Sequence, residues 1–443
     1  MSFKKNFIWG AASASAQIEG AYLTDGRTES IWDIAPKGKI KNDDTCHDGC
    51  DSYNHYKEDI RIMKEMGIKA YRFSLSWSRI IPEEGKINPL GIKFYNDVID
   101  TLIENGIEPM ITIFHWDLPV WVNKYGGWLS KKTISFFEEY TKVVVENFSD
   151  RVRFFMPMNE PECFITCSYV YGVHAPFIKD SKLLTKASKV AMEAFAKSVD
   201  IIRKEAKQKP IVGIAYAAGA YVPDDDSKEE LEHARRETVE EGMGVLPNKW
   251  WMDPMILGKG VYCNYEGKHF ISESFAKKIQ RKLDFIGLNL YQPFNNSTWD
   301  NRKKKRTDVG FGFSSMNWLL DERVMYYAPK FIYEKYKTPI MITENGLALD
   351  DTISNDNKVH DDLRIKFLER YIFALKKAVE DGIPVIGYLH WSIMDNFEWA
   401  EGYGPRFGLV YVDYKTKIRT PKESSYVYKQ IIETNGENLK LKD

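Results

Sequence analysis

The chain has too few cysteines to be a stapled fold: five in 443 residues, an odd number, in a length that can bury its own core. Cys46 and Cys50 bracket His47, and Cys163 and Cys167 stand four apart. Neither pair has a second half at metal-ligand spacing, so no metal is expected. One sign of charge does not dominate either. The 62 basic residues face 63 acidic ones, which argues against a nucleic-acid partner held by phosphate neutralisation. No apolar run approaches the roughly 18 residues of a membrane span. The polar start, Met1 to Asn6, leads straight into strand-like sequence with no secretion signal. The expectation from these absences is a reduced, cytoplasmic protein. No linker rich in Pro, Gly or Ser divides residues 1–443, which read as one domain; no Gly-rich nucleotide loop follows the first strand, which argues against an open doubly wound sheet, and no cofactor is expected.

Aromatic residues, by contrast, are plentiful: 14% of the chain, with 12 Trp and 25 Tyr. Such rings stack on the apolar faces of sugars, and they equally fill large cores, so composition alone leaves both readings open. The order of elements is more informative. Three segments, 58–66, 94–104 and 367–380, place apolar residues at helical spacing and stop at Gly67, Gly106 and Gly382; a short apolar strand follows each at once. Glycine supplies the left-handed cap that ends a helix. Near-continuous apolar strands between amphipathic helices are the pattern of a parallel sheet covered by helices. Strands are expected at 7–12, 70–75, 109–114, 153–158, 211–216, 285–288, 340–343 and 385–389. Eight such strands close into an α/β fold, a single (β/α)8 TIM barrel. The basic run 302–306 and the acidic stretch 224–241 read as solvated loops.

In such barrels the strand ends at one mouth carry the chemistry. Those positions hold Gln17, Arg72, His115, Trp116, Asn159, Glu160, Asn289, Tyr291, Glu344, Asn345 and Trp391. Two strands run through apolar residues into a carboxylate, in Phe155-Met156-Pro157-Met158-Asn159-Glu160-Pro161 and in Ile340-Met341-Ile342-Thr343-Glu344-Asn345-Gly346. A carboxylate at the end of a buried strand is costly unless it is paired or used. Singly, each is well explained as a capping or salt-bridged residue. Two at one mouth, among amides and aromatics, suit glycoside hydrolysis, in which one attacks the anomeric carbon or activates water and the other protonates the departing oxygen.

At these residues the chain resembles glycoside hydrolase family 1, over about residues 7 to 432. The matching stretches are Gln17-Ile18-Glu19-Gly20, Tyr71-Arg72-Phe73-Ser74, His115-Trp116-Asp117-Leu118-Pro119, Asn159-Glu160-Pro161, Thr343-Glu344-Asn345-Gly346, and Trp391 through Trp399. The resemblance implies a (β/α)8 barrel working with retention through a covalent glycosyl-enzyme. It implies that Glu344 is the nucleophile and Glu160 the acid/base. It further implies that Gln17, His115, Asn159, Glu398 and Trp399 hold the first sugar, with Trp116, Tyr291, Trp391 and Phe407 at the same site and Arg72 and Asn289 in support. Arg72 and Tyr291 are expected to hydrogen-bond Glu344 and keep it ionised. The Glu344 charge should then raise the pKa of Glu160. Asn159 is placed to donate to the sugar 2-hydroxyl.

The chain also departs from that family's pattern. Pro157 replaces the usual Thr, Glu162 the usual Trp after Asn-Glu-Pro, Leu290 the first tyrosine of Asn-Tyr-Tyr, Phe177 the glycine after Ala-Pro, Ala16 an aromatic, and Ala217 an asparagine. The sugar-holding positions are kept, while several of the leaving-group positions are not. Glu162 is therefore the candidate aglycone residue. The substrate expected is a small β-glycoside or oligosaccharide with a terminal β-D-glucosyl residue, and neither a membrane nor a nucleic acid is a partner. A 6-phospho-β-glucosidase is the nearest alternative, but Glu398 would repel a phosphate and Phe407 stands where that branch has a tyrosine. A mainly transglycosylating enzyme shares the same glycosyl-enzyme, and a non-catalytic sugar binder would have lost a carboxylate. The sequence leaves the oligomeric state open.

Overall fold

The computed structural model describes residues 3–241, 248–294 and 312–440; the basic run 302–306 lies outside them. Eight parallel strands close into a barrel in sequential order: Ile8–Ala12, Ala70–Ser74, Glu108–Phe114, Phe154–Met158, Ile211–Ala217, Phe285–Asn289, Ile340–Asn345 and Val385–Trp391. The last pairs with the first from Ile8↔Gly387 to Ala12↔Trp391. Each strand is buried along nearly its whole length, as expected where side chains fill the barrel and helices cover its outside.

Helix Pro89–Glu104 shows how sequence sets the units between strands. Asn88 caps it by accepting from the Leu90 amide at 3.1 Å, and Pro89 takes a first-turn position that needs no donor. Phe94, Val98, Ile99 and Leu102 form its buried stripe. It ends at Gly106, whose φ of +73° a side chain would strain. Ile107 and the third strand follow directly. Helices Ser52–Glu65 and Asp362–Glu380 repeat the buried stripe and the closing glycine but have no side-chain cap, and they begin five or six residues before the segments read from spacing. The first turn of Ser52–Glu65 is mostly polar, so the apolar period does not mark where that helix starts.

Two expectations need correction. The stretch 224–241 is not simply a solvated loop, because Lys228–Arg236 is a helix capped by Ser227, whose hydroxyl accepts from the Glu230 amide at 3.2 Å. Acidic residues in its first turn and basic ones in its last complement the helix dipole. The sixth, seventh and eighth strands also run further than expected, so Asn289, Glu344, Asn345 and Trp391 belong to the strands themselves. Continued pairing, Asn289↔Glu344 and His390↔Asn345, accounts for the extension. Two hairpins, Val261–Asn264 with Lys268–Ile271 and Val410–Val412 with Arg419–Pro421, stand outside the barrel. Among the described residues no helix is long and apolar enough to cross a membrane.

Candidate active site

The seventh strand carries one extra residue against both neighbours. Leu288↔Ile342 is followed by Asn289↔Glu344, and Tyr388↔Ile342 by His390↔Asn345. Such a bulge breaks the strict alternation of faces. Its effect is that consecutive side chains serve one site: Thr343 Oγ1 donates to Asn289 Oδ1 at 2.7 Å, and Glu344 turns to Arg72 and Tyr291. Gly346 lets the chain leave, since a Cβ there would lie 1.6 Å from the Trp391 carbonyl oxygen.

The fourth strand presents the second carboxylate differently. The Asn159 amide donates to Phe114 O at 3.0 Å and the Glu160 amide to Ala215 O at 2.8 Å, which stretches these residues between the third and fifth strands. Pro161 then opens the short helix Pro161–Ile165, and a residue before proline is pushed out of the right-handed helical region. Glu160 takes φ +45°, ψ +66°. Trp116 and Trp399 also have positive φ. Side chains in this region each cost on the order of 1 kcal/mol, held by the surrounding packing.

Arg72 joins the two carboxylate strands. Its Nη1 donates to Glu344 Oε1 at 2.6 Å and its Nη2 to Asn159 Oδ1 at 2.6 Å, while Thr112 Oγ1 accepts from Nε at 2.9 Å. Tyr291 donates to the other Glu344 oxygen at 2.8 Å. Asn289 Nδ2 donates to Glu160 Oε1 at 2.7 Å and to Asn159 Oδ1 at 3.0 Å. The expected contacts of Arg72 and Tyr291 with Glu344 are therefore both made, and Asn289 supports Glu160.

Burial is the first cause that raises Glu160, to about 7, and the Glu344 charge, to which the sequence alone points, is the second. Burial also raises Glu344 above the ordinary carboxylate value, with the Arg72 charge and the Tyr291 hydroxyl pulling it back down. Glu344 thus has a cation against it and Glu160 has only amide and thiol donors, so Glu344 ionises first and Glu160 holds the proton. Burial, then the two neighbouring carboxylates, raises Glu398 to about 8.

Around this pair, Gln17 Nε2 reaches Phe397 O at 2.7 Å, Asn396 Oδ1 at 3.1 Å and Glu398 Oε2 at 3.3 Å, while its Oε1 has no partner among the described residues. His115 is held neutral by burial and then by the Arg72 charge; its Nε2 accepts from Asn159 Nδ2 at 3.0 Å, which leaves the proton on an unpartnered Nδ1. The His115 ring stacks on Trp391 and on Trp399 at 5.6 and 5.9 Å between centroids. Trp116 spends its indole N–H on Asn159 O at 3.1 Å and packs on Trp399 at 4.7 Å. Phe407 meets Tyr291 edge-on at 6.0 Å. Arg72, His115, Trp116, Asn159, Glu160, Asn289, Tyr291, Glu344, Trp391, Trp399 and Phe407 thus join one chain of contacts, and Gln17 and Glu398 contact each other beside it; Asn345 turns away, donating to Leu290 O at 2.6 Å.

Glu162 sits apart from that chain. Its Oε2 accepts from the Ala217 amide at 3.3 Å, its Oε1 has no partner, and no cation pairs with it among the described residues. Burial pushes its carboxyl well above the usual range. Sequence reasoning passed over four neighbours of the site. Cys163 hydrogen-bonds the Glu160 carboxyl. Trp32 packs on Trp399 at 4.8 Å, Trp318 on Tyr291 at 5.1 Å, and Asn396 accepts from Gln17. Asn396 carries a signal in its place inside the stretch from Trp391 to Trp399, and Cys163 in its place three residues past Glu160 on the helix that Pro161 opens; Trp32 and Trp318 follow from long-range contacts.

Residues 1–437 match the family described as Glycosyl hydrolase family 1. The chain is 39% identical to Beta-glucosidase A of Thermotoga maritima, over 98% of each. It is 40% identical to a 1,4-beta-D-glucan glucohydrolase of Thermotoga neapolitana, over 98% of this chain and 99% of that one. Its fold is similar to the solved structure of a Thermotoga maritima beta-glucosidase in complex with glucoimidazole, at a TM-score of 0.87 and 38% identity, covering 98% of this chain and 99% of that one.

Proposed function

The chain belongs to glycosyl hydrolase family 1, and from that premise we propose that it is a retaining β-glucosidase with Glu344 as nucleophile and Glu160 as acid/base. The observation that carries this reading is the unequal treatment of two facing carboxyls. Arg72 lies 2.6 Å from Glu344, and Glu160 keeps its proton up to about pH 7. In the first step a Glu344 oxygen bonds the anomeric carbon as the glycosidic C–O bond breaks, and the Glu160 proton goes to the departing oxygen. The Glu344 charge is then consumed, which lowers the pKa of Glu160. Glu160 can now take a proton from water, whose oxygen attacks the anomeric carbon and frees Glu344.

Gln17 Oε1, His115 Nδ1 and the second amide proton of Asn159 supply an acceptor and two donors for sugar hydroxyls. Glu398 adds a further acceptor, while Trp391, Trp399 and Phe407 offer apolar ring area. This set suits a neutral glucosyl residue. A phosphate would find no phenol at Phe407, which disfavours the 6-phospho alternative. Glu162 is proposed as the aglycone residue: it is two positions from the acid, keeps one unpartnered oxygen, and is no more buried than Gln17 or Asn159. We read residues 1–443 as one catalytic domain. Five free cysteines suit a reducing compartment, the cytoplasm.

The test is a panel of natural β-glucosides and a chromogenic one, with released sugar and released aglycone both measured. Equal amounts mean hydrolysis, and less sugar than aglycone means transfer. No aglycone release from any β-glucoside would sink the reading.

A further inference from the structure

The segment between the eighth strand and Gly408 carries Asn396, Glu398, Trp399 and Phe407, and a buried ionic network holds it from behind. Asp395 is at its centre, sealed from solvent. Its Oδ1 accepts from Lys422 Nζ at 2.7 Å and from the Gly408 amide at 2.9 Å, and its Oδ2 accepts from Arg406 Nη1 at 2.8 Å. Lys422, also sealed, reaches Asp351 Oδ2 at 2.5 Å with the same ammonium group. Arg364 donates to that Asp351 oxygen at 2.8 Å and to Asp361 Oδ2 at 2.5 Å. Its remaining donors go to backbone: Arg406 O at 2.7 Å and Leu347 O at 3.1 Å.

The charges balance, with Arg364, Arg406 and Lys422 against Asp351, Asp361 and Asp395. Buried ion pairs generally stabilise a fold no better than apolar side chains of the same shape, so stability alone is a weak reason for this one. What the network touches is more telling. Leu347 is three residues beyond Glu344, Gly408 and Arg406 flank Phe407, and Asp395 is three residues before Glu398. Its ends thus fix the exit of the seventh strand against the exit of the eighth. It contacts none of the proposed sugar-binding side chains.

We propose that Lys422 is a positioning residue for the sugar site: through Asp395 it holds the 392–408 segment where Glu398, Trp399 and Phe407 meet the glucosyl ring. The proposal rests on the reading of those three residues as sugar contacts. A loop freed to shift by about 1 Å should blur discrimination among sugars and cost about tenfold or more in rate. A purely structural role would lower the melting temperature and slow every substrate by one factor.

The test compares a nitrophenyl β-glucoside with its monodeoxy analogues, each scored by kcat/KM, in three full-length proteins. They are the wild type, Glu398→Gln, and the double variant Asp351→Asn/Lys422→Met, which removes one charge of each sign. The expected result is that Glu398→Gln loses about tenfold or more of its discrimination against at least one analogue. The folded double variant should lose discrimination against that same analogue to a similar extent, with KM raised. If Glu398→Gln discriminates like the wild type, the assignment of sugar contacts falls and the proposal with it. If Glu398→Gln loses discrimination and a folded double variant does not, the proposal alone is overturned. Should the double variant fail to fold, Lys422→Gln takes its place in the same assay. Failure of both to give a cooperative melt would assign Lys422 to stability only and overturn the proposal.

Discussion

Arg72 and Glu344 form an ion pair at 2.6 Å from which solvent is excluded, and the same guanidinium holds Asn159 at 2.6 Å. One cation therefore sets both the charge of the proposed nucleophile and the position of the amide beside the proposed acid. Lysine cannot serve both, because its ammonium is a single point on a flexible stem. Arg72→Lys is expected to lower kcat by about 10²-fold or more, the scale of a lost preorganised contact to developing charge. Arg72→Met, which removes the cation, should also lift Glu344, so the acidic limb of its pH–rate profile should move to higher pH. Kinetics from pH 4 to 9 check both, and an unmoved acidic limb would count against Arg72 as the group that keeps Glu344 charged.

Glu344→Ala should abolish turnover, and azide should restore it by occupying the vacated space. Azide attacking from that side gives the α-glucosyl azide. Product stereochemistry by NMR decides the matter, and a β-glucosyl azide would overturn the role given to Glu344.

Glu160, raised to about 7 by burial and then by Glu344, is protonated below that pH and charged above it. Activity on substrates that need their leaving group protonated should therefore fall as pH rises through about 7. Glu160→Ala should slow such substrates by about 10²–10⁴-fold and nitrophenyl glucosides much less in the bond-breaking step. The two limbs of the profile belong to the coupled pair rather than to either residue. Equal losses on good and poor leaving groups would mark Glu160 as structural.

Glu398 has its folded value raised from 4.5 to about 8. The stability that goes with its neutral form is full below about pH 4.5 and lost as pH rises through about 8. Glu398→Gln cannot charge, so its melting temperature should exceed that of the wild type by a margin that grows from pH 5 to pH 9, at a cost in activity. A margin that shrinks with pH would contradict the raised value.

Glu162→Trp replaces a hydrogen-bonding carboxyl with a stacking ring two positions from Glu160. It should improve aryl glucosides relative to cellobiose by about 1–3 kcal/mol in relative kcat/KM, the scale of one pocket contact. If both substrates change by the same factor, Glu162 does not select the aglycone.

The sequence by itself determined the eight apolar strands, the helices that end at Gly67, Gly106 and Gly382, and the two carboxylates at strand ends. Each is written in local signals: a run of apolar residues, a helical period, a glycine or a proline beside the motif. Only the tertiary structure decided how those pieces meet. The bulge at Thr343 turns consecutive side chains into one site because strands 54 residues apart in sequence pair out of step. Trp116, expected at the sugar, gives its N–H to a backbone carbonyl 43 residues away. Lys422 stands behind Asp395 across 27 residues of chain. Such contacts leave no period in the sequence, since a hydrogen bond or ion pair constrains two distant positions and nothing between them. Local patterns fix which faces are buried, and packing around the closed barrel fixes which groups those faces bring together.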